Sequence, residues 1–222
     1  LSIDFVQTGS GYFKYLTKLF SISSNACKIF AQGPVLSGFL ALIVGKLKRK
    51  KVIVRVVGDQ SWEWARVNGV TSSDIDDYQT QSFKQRYQKT SRASKKFQLV
   101  DKLQRFTVKQ VDRIVVPSSY GLNMVKGWGA PNHRIKVIPN SFNPAKSSVV
   151  SNQNPEIPLI LSVGRFTPWK GFVVLVDAMS KLKKHVPESI CQIIGDGPEK
   201  NVIKQHIKAV SYTHLRAHET IR

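Results

Sequence analysis

Two cations in one short loop, Arg165 and Lys170, have the chemistry best suited to an anionic ligand. They lie in residues 163–171, VGRFTPWKG, which follow an apolar β-branched run and precede a helical pattern. A helix N-terminus favours phosphate, because its first N–H groups are unpaired and the helix dipole is positive there. Arg can bind two phosphate oxygens with its planar fork, and Lys adds a mobile point charge. Together they would stabilise a diphosphate leaving group, although solvated Lys and Arg are also common in such loops.

A second glycine turn, made of Gly195, Asp196 and Gly197, follows the next apolar run. Pro198 comes directly after it and suits the first position of a helix. Glycines in such a turn allow a ligand to approach the backbone closely. An ordinary surface turn would have the same sequence, so the motif alone is degenerate.

Short β-branched runs alternate with longer helical patterns along the chain, which predicts an α/β fold. The predicted strands are 51–57, 113–116, 135–138, 159–163 and 190–194. The predicted helices are 37–48, 94–110, 119–128, 172–185 and 199–209. The helix at 172–185 is the clearest, because its apolar residues recur with helical spacing and form one core-facing stripe.

The composition changes to Asn, Ser, Pro and Gln between residues 140 and 158, which predicts a linker between two α/β units. We expect an N-terminal domain over 1–145, a linker over 146–157 and the start of a second domain over 158–209. Residues 210–222 are similar to a translated sequencing adapter and are set aside from the fold. The chain also opens on Leu1 inside sequence with a folded pattern, so we expect natural segments to be missing at both ends.

The formal net charge of +20 indicates a polyanionic partner or surface. The basic residues are densest at 46–51 and 84–109. Nucleic acid, anionic lipid and a phosphorylated substrate all fit this charge. The basic segments lack the aromatic patterns typical of RNA-binding modules, so nucleic acid is not the expected partner. The longest apolar run, 34–44, is shorter than the roughly 20 residues needed to span a bilayer.

The residues that could bind a metal have simpler explanations. Asp74, Asp76 and Asp77 lie in a Ser-rich helix start, where carboxylates favour the helix dipole. Cys27 and Cys191 are far apart and give neither a disulfide framework nor a zinc pattern. We therefore assign no metal.

The two loop motifs, in this order and separated by an amphipathic helix, resemble the donor half of glycosyltransferase family 4. Segments of the first domain are similar to that family in the same order: AQGP at 31–34, the basic stretch before Val52, VVGDQSWE at 56–63, VPSS at 116–119, GWG at 127–129 and VIPN at 137–140. The resemblance covers residues 30–209. It implies a GT-B fold, with a Rossmann-like N-terminal domain on the acceptor side and the first part of a second, Rossmann-like donor domain.

The resemblance also implies an activity. Family members of this kind are retaining transferases that move a sugar from a nucleotide-sugar donor to a glycan or lipid-linked acceptor, without an obligatory metal or a separate cofactor. Arg165 and Lys170 correspond to the family's diphosphate-binding residues. The turn of Gly195, Asp196 and Gly197 corresponds to the loop near the donor nucleoside.

Asp59 is the catalytic candidate that the resemblance provides. It stands beside Gly58, which occupies the position where many relatives carry a His facing the reaction centre. The alternative role for Asp59 is a helix or turn cap near Ser61.

We expect the chain, which lacks the ribose and sugar contacts, to be inactive as it stands. We expect a cytoplasmic protein that is peripheral to an anionic membrane surface at the inner face of the cell membrane. A basic nucleic-acid-binding protein and a catalytically silent GT-B-like scaffold remain the alternatives.

Overall fold

The computed structural model describes residues 11–81, 92–141 and 158–210, together with the backbone of 215–218. The chain divides into two compact units, Leu1–Asn143 and Pro144–Arg222. Each unit alternates helices with parallel strands, which confirms the predicted α/β class. No helix in the described ranges combines the length and the apolarity needed to cross a bilayer.

The first unit contains four strands and six described helices. In chain order they are α1 (Tyr12–Ile22), β1 (Lys28–Gln32), α2 (Leu36–Leu47), β2 (Lys51–Arg55), α3 (Gln60–Val67), α4 (Ile75–Thr80), α5 (Arg92–Gln110), β3 (Arg113–Val116), α6 (Ser119–Gly127) and β4 (Ile135–Val137). The strands form one parallel sheet in the order β1-β2-β3-β4. The elements α1, β1 and α3 were not among the predicted strands and helices, whereas α4 begins at the helix start expected around Asp74. The strand β2 ends two residues earlier than expected.

The core of the first unit lies on one face of its sheet. Alternate strand residues, such as Ile29, Val54 and Ile114, are buried there against apolar side chains of α1, α2, α5 and α6. The intervening residues, such as Lys28 and Lys51, are exposed. This alternation places all the described helices that contribute to the core on the same side of the sheet.

The second unit has the order β5 (Leu159–Val163), α7 (Phe172–Leu182), β6 (Ile190–Ile194), α8 (Lys200–Ala209) and β7 (Leu215–His218). Its three strands are parallel, in the order β5-β6-β7. The core contains Phe172, Val176 and Met179 of α7, which confirms the apolar stripe predicted for that helix. The backbone of β7 pairs with β6 and lies inside the adapter-like segment that the sequence analysis set aside.

Candidate functional site: two linked loops at the carboxyl edge of the second sheet

The two loops that follow β5 and β6 are joined by three backbone hydrogen bonds. The N–H of Gly164 donates to the carbonyl of Ile194 at 3.0 Å, and the N–H of Phe166 donates to the carbonyl of Asp196 at 2.9 Å. The N–H of Glu199 donates in turn to the carbonyl of Phe166 at 3.1 Å. Both loops therefore lie at the carboxyl edge of the parallel sheet, where ligands of open α/β sheets bind.

The glycines of the second loop are required by this contact between the loops. A Cβ atom at Gly195 would lie 1.9 Å from the carbonyl oxygen of Gly164, and one at Gly197 would lie 2.4 Å from the carbonyl oxygen of Phe166. Real Cβ atoms essentially never approach an oxygen so closely. These glycines were expected to let a ligand approach the backbone, whereas the neighbouring loop lies in that space.

Phe166 anchors the first loop to the core. It is 1% exposed, and its ring packs edge-on against Phe172 with the ring centroids 5.0 Å apart. The next residue, Thr167, is also buried, and its carbonyl accepts the N–H of Lys170 at 3.0 Å. Sequence reasoning missed Phe166, although an aromatic residue between Arg165 and a polar residue was a visible signal of an inward-facing anchor.

Arg165 and Lys170 are held on the outside of this anchored loop. Both are exposed, and neither forms an ion pair with a described residue. Lys170 ends a short 3-10 turn, Pro168–Lys170, and Gly171 then begins α7 in a left-handed conformation, with φ of 69°. No side chain caps the first turn of α7. The loop thus presents two unpaired cations and the uncapped N-terminus of an eleven-residue helix.

Asp196 shapes the second loop. Its carboxylate accepts the N–H of Gly197 at 2.9 Å and lies 3.8 Å from the ammonium of Lys200. The Asp196 side chain is 73% exposed. These contacts are sufficient to explain an Asp between two glycines, and they leave most of the carboxylate accessible at the same edge of the sheet.

Asp59 is the N-cap of α3 and is completely buried. Its Oδ1 atom accepts the backbone N–H groups of Ser61 at 3.0 Å and Trp62 at 3.1 Å, together with the hydroxyl of Ser61 at 3.0 Å. The amide of Gln104 donates to the same oxygen at 2.7 Å, and the amide of Gln79 donates to Oδ2. Both carboxylate oxygens of Asp59 therefore accept hydrogen bonds from the protein, as expected of a cap, and the catalytic role of Asp59 stays a prediction.

The network around Asp59 connects four helices of the first unit. Ser61 of α3 hydrogen-bonds the hydroxyl of Tyr78 of α4 at 3.0 Å. Gln79 of α4 also accepts the indole N–H of Trp128, which follows α6, at 3.0 Å. Gln104 contributes α5. Asp59 therefore holds the segment after β2 in place through hydrogen bonds from α3, α4 and α5.

Gly58 is half-buried at the end of the segment that follows β2. A Cβ atom at this position would lie 2.8 Å from Oε1 of Glu63, the movable end of a side chain. A larger residue at position 58 would therefore require Glu63 to shift while leaving the backbone in place.

The acidic residues of α4 have structural partners as well. Asp74 caps α4 by accepting the N–H of Asp77 at 2.8 Å. The hydroxyl of Tyr120 donates to Asp76 at 2.7 Å. Partial burial and this hydrogen bond to a carboxylate raise the pKa of Tyr120 to about 12. In the described part of the chain no group of three or more His, Cys, Asp or Glu side chains is placed to hold a metal ion. The absence of a metal and of a cofactor stays a prediction.

Residues 145–215 match the family model described as "Glycosyl transferases group 1". The sulfoquinovosyl transferase SQD2 of Arabidopsis thaliana is 31% identical over 112 residues, which cover 46% of this chain and 21% of that protein. The matched family segment includes the loops that contain Arg165, Lys170 and Gly195.

The fold is similar to that of solved structures at low sequence identity. HepE of Anabaena in complex with UDP-glucose aligns with a TM-score of 0.64 and 12% identity, over 94% of this chain and 52% of HepE. A TarM mutant of S. aureus, solved with fondaparinux, α-GlcNAc-glycerol and UDP, aligns with a TM-score of 0.59 and 13% identity, over 95% of this chain and 36% of TarM. These alignments confirm the GT-B fold class. The chain spans about half the length of HepE, 36% of TarM and 21% of SQD2.

The structure brings together part of the predicted site. Arg165, Lys170 and the turn of Gly195 to Gly197 lie in two hydrogen-bonded loops of one unit. Asp59 belongs to the other unit. The second unit therefore contains the residues predicted for the donor side, and the first unit contains the catalytic candidate Asp59.

Proposed function

We propose that the second unit binds the diphosphate of a nucleotide-sugar donor, and that the chain is part of a retaining glycosyltransferase of family 4. One observation carries the proposal: the linked loops present Arg165, Lys170 and the uncapped N-terminus of α7 at one edge of a parallel sheet. The match of this segment to the group 1 glycosyl transferases and the UDP-glucose bound in HepE support it.

The roles of the two cations follow from the reaction. When the bond between the sugar and the diphosphate breaks, the electron pair stays on the phosphate oxygen and negative charge grows there. Arg165 would bind two oxygens of the diphosphate and Lys170 would add a second positive charge. The N–H groups at the start of α7 would contribute hydrogen bonds and the positive end of the helix dipole. These groups supply the charge that a divalent ion would otherwise provide, so the proposal includes no metal.

The turn of Gly195, Asp196 and Gly197 would lie beside the donor nucleoside. Its shape is fixed by the hydrogen bonds to the first loop, so the nucleoside and diphosphate subsites would be positioned together. The exposed carboxylate of Asp196 is suited to accept hydrogen bonds from a nucleoside.

The acceptor side belongs to the first unit in this proposal, with a glycan or a lipid-linked sugar as the acceptor. Asp59 acts there as a positioning residue, because its buried network fixes the segment that contains Gly58. We place the protein in the cytoplasm and at the inner face of the cell membrane, where lipid-linked acceptors and an anionic surface occur together. A catalytically silent scaffold would keep this fold and the same anion site without transferring a sugar.

Nuclear magnetic resonance of the isotope-labelled 222-residue chain, titrated with UDP and with GDP, tests the donor site. We expect weak binding, with a Kd of about 1 mM or higher. The corresponding binding free energy is about −4 kcal/mol or weaker. The largest shifts should be in the amides of 164–171 and of the first turn of α7. Arg165→Ala or Lys170→Ala should each weaken binding at least tenfold, since hydrogen bonds to charged groups contribute about 1.5–3 kcal/mol.

Lys181→Ala is the matched control, because it removes the same charge from the exposed far end of α7. It should leave the titration unchanged. If neither nucleotide moved the loop amides, the donor site would be refuted. If Lys181→Ala weakened binding as much as Lys170→Ala, the charge of the unit would be responsible and the specific assignment would be wrong.

A further inference from the structure

The surface formed by α1 and the end of α2 combines exposed apolar side chains with cations. Phe13 is 78% exposed, Phe20 42% and Leu47 69%. The outer face of a helix in a globular protein is normally polar. Exposed apolar residues grouped with basic ones therefore indicate an interaction surface.

The geometry of α1 places its two phenylalanines together. Tyr15 and Leu19 are buried and fix the side of α1 that faces the core. Phe13 and Phe20 are seven residues apart, so they point within about 20° of each other and lie about 10 Å apart along the helix. They form one apolar stripe on the outside of α1.

The end of α2 extends this stripe. The ammonium of Lys48 lies 4.0 Å from the centroid of the Phe20 ring, and it donates to the hydroxyl of Ser24 at 2.9 Å. The ammonium of Lys50 donates to the carbonyl of Ser24 at 3.2 Å. These contacts bring the end of α2 to the C-terminal end of α1, and the exposed Leu47 is the last residue of α2. We name Phe13, Phe20, Leu47, Lys14, Lys48 and Lys50 the α1–α2 patch.

The charge around the patch has one sign. Residues 11–58 contain nine Lys and Arg residues and no Asp or Glu. Around the helix axis, Lys14 lies about 110° and Lys18 about 150° from the phenylalanine stripe, and both are exposed. An acidic protein partner and an anionic lipid surface would both be attracted. The aliphatic Leu47 and the protruding, unstacked Phe13 are suited to insertion among lipid chains rather than to stacking on nucleic-acid bases.

We propose that the α1–α2 patch is a membrane-docking site, at which Phe13, Phe20 and Leu47 insert into the headgroup region of an anionic bilayer while the lysines bind lipid phosphates. Interfacial helices have this combination of buried aromatic or leucine side chains and flanking lysines. The patch shares Leu47, Lys48 and Lys50 with the basic segment 46–51, includes residues of α1 as well, and adds insertion of apolar side chains to the attraction by charge. It depends only on residues of the first unit, so loss of the donor site would leave it intact.

Co-sedimentation of the 222-residue chain with vesicles tests the proposal. Vesicles of equal parts phosphatidylglycerol and phosphatidylcholine should bind the protein, and vesicles of phosphatidylcholine alone should not. Lys14→Gln with Lys50→Gln should lower the partition coefficient about 30-fold, because each lysine near an anionic surface contributes about fivefold. Phe13→Ser with Phe20→Ser should lower it at least tenfold at unchanged net charge.

Matched controls are available in the second unit. Lys181→Gln with Lys184→Gln removes two exposed charges, and Val202→Ser removes an apolar side chain that is 49% exposed. Both variants should bind vesicles like the parent. Phe13→Trp provides a second measurement, since quenching by brominated lipid should increase relative to the parent when position 13 enters the bilayer. Circular dichroism and the melting temperature establish that each variant is folded.

Three outcomes would overturn the proposal. Binding that is unchanged by Phe13→Ser with Phe20→Ser, together with no additional quenching of Phe13→Trp, would show that the surface acts by charge without insertion. An equal loss in the control variants would show that net charge or general hydrophobicity is responsible. Tighter binding to a single-stranded RNA, dependent on the same phenylalanines, would assign the patch to nucleic acid.

Discussion

Gly195→Ala directly tests the contact between the two loops of the candidate donor site. The new methyl group would lie 1.9 Å from the carbonyl oxygen of Gly164 and 2.9 Å from the ring of Phe166. Because the first of these atoms belongs to the backbone, the overlap cannot be relieved by turning a side chain. The loops must separate or the fold around them must shift.

The cost has two parts. Forcing an extra methyl group into a packed site costs about 1–3 kcal/mol. The backbone of Gly195 has φ of 157°, which L-residues rarely adopt, and this strain adds about 1–2 kcal/mol. We therefore expect the free energy of unfolding of the second unit to fall by about 2–5 kcal/mol. For a unit of this size such a loss lowers the melting temperature by roughly 10 °C or more.

Gly171→Ala is the matched control. It is in the same unit and has φ of 69°, but a Cβ atom there would meet nothing within 4 Å. The control therefore has backbone strain without overlap. Denaturant unfolding gives the two free energies, and hydrogen exchange reports the N–H groups of Gly164 and Phe166, which the loop contacts protect. Equal destabilisation by the two substitutions, with both amides still protected in Gly195→Ala, would refute the close contact.

Three further outcomes are expected. In an active transferase that contains this chain, Arg165→Ala or Lys170→Ala should lower kcat by roughly two to three orders of magnitude, as loss of one charge-stabilising donor costs ~2.7–4 kcal/mol; turnover within a few-fold of the parent would contradict the role. Asp59→Ala should destabilise the first unit by about 2–4 kcal/mol, since a cap is lost and buried donors become unpaired. Asp74→Ala, which removes an exposed cap, should cost about 1 kcal/mol. Equal free-energy losses for the two variants in urea unfolding would contradict the buried network. Between pH 10 and about 12 the parent should lose stability that Tyr120→Phe does not lose. The reason is that the raised pKa of Tyr120 keeps its proton bound in the folded state while the unfolded chain ionises. Parallel curves of stability against pH for the two proteins would contradict this.

The direction in which Tyr120 changes stability with pH follows from where its phenolic proton is bound more tightly. The folded protein binds the phenolic proton more tightly than the unfolded chain, so the contribution is complete below pH 10 and is lost as the pH rises through about 12. The comparison with Tyr120→Phe removes the contribution of every group that the two proteins share.

The elements with strong local patterns were predictable from the sequence. The strands β2, β3, β5 and β6 are rich in Val, Ile and Leu, which is typical of parallel sheets. The helix α7 has a clear apolar stripe. In contrast, β1 alternates buried with exposed residues, including Lys28 and Gln32, and α3 and α4 are short and polar. Their positions depend on neighbours distant in sequence, which a local pattern does not contain.

The candidate site divides in the same way. Arg165 and Lys170 were identifiable because a strand, a basic loop and a helix are consecutive in the chain, and the helix N-terminus gives that order a chemical meaning. Phe166 was missed, since its burial depends on Phe172 and on the second loop. The roles of Gly195 and Gly197 also required knowledge of which backbone lies beside them.

The sequence by itself determined the α/β class, the order of the two loops and the cationic residues available for a diphosphate, because these properties reside in consecutive residues. Only the tertiary structure decided the position of Asp59, which is a buried cap with donors from α3, α4 and α5. Only the tertiary structure, too, placed Lys48 over Phe20 and left Phe13 exposed. Burial and hydrogen-bond partners are properties of residues brought together across the chain, and the free energy that fixes them arises when distant segments exclude water from a shared core.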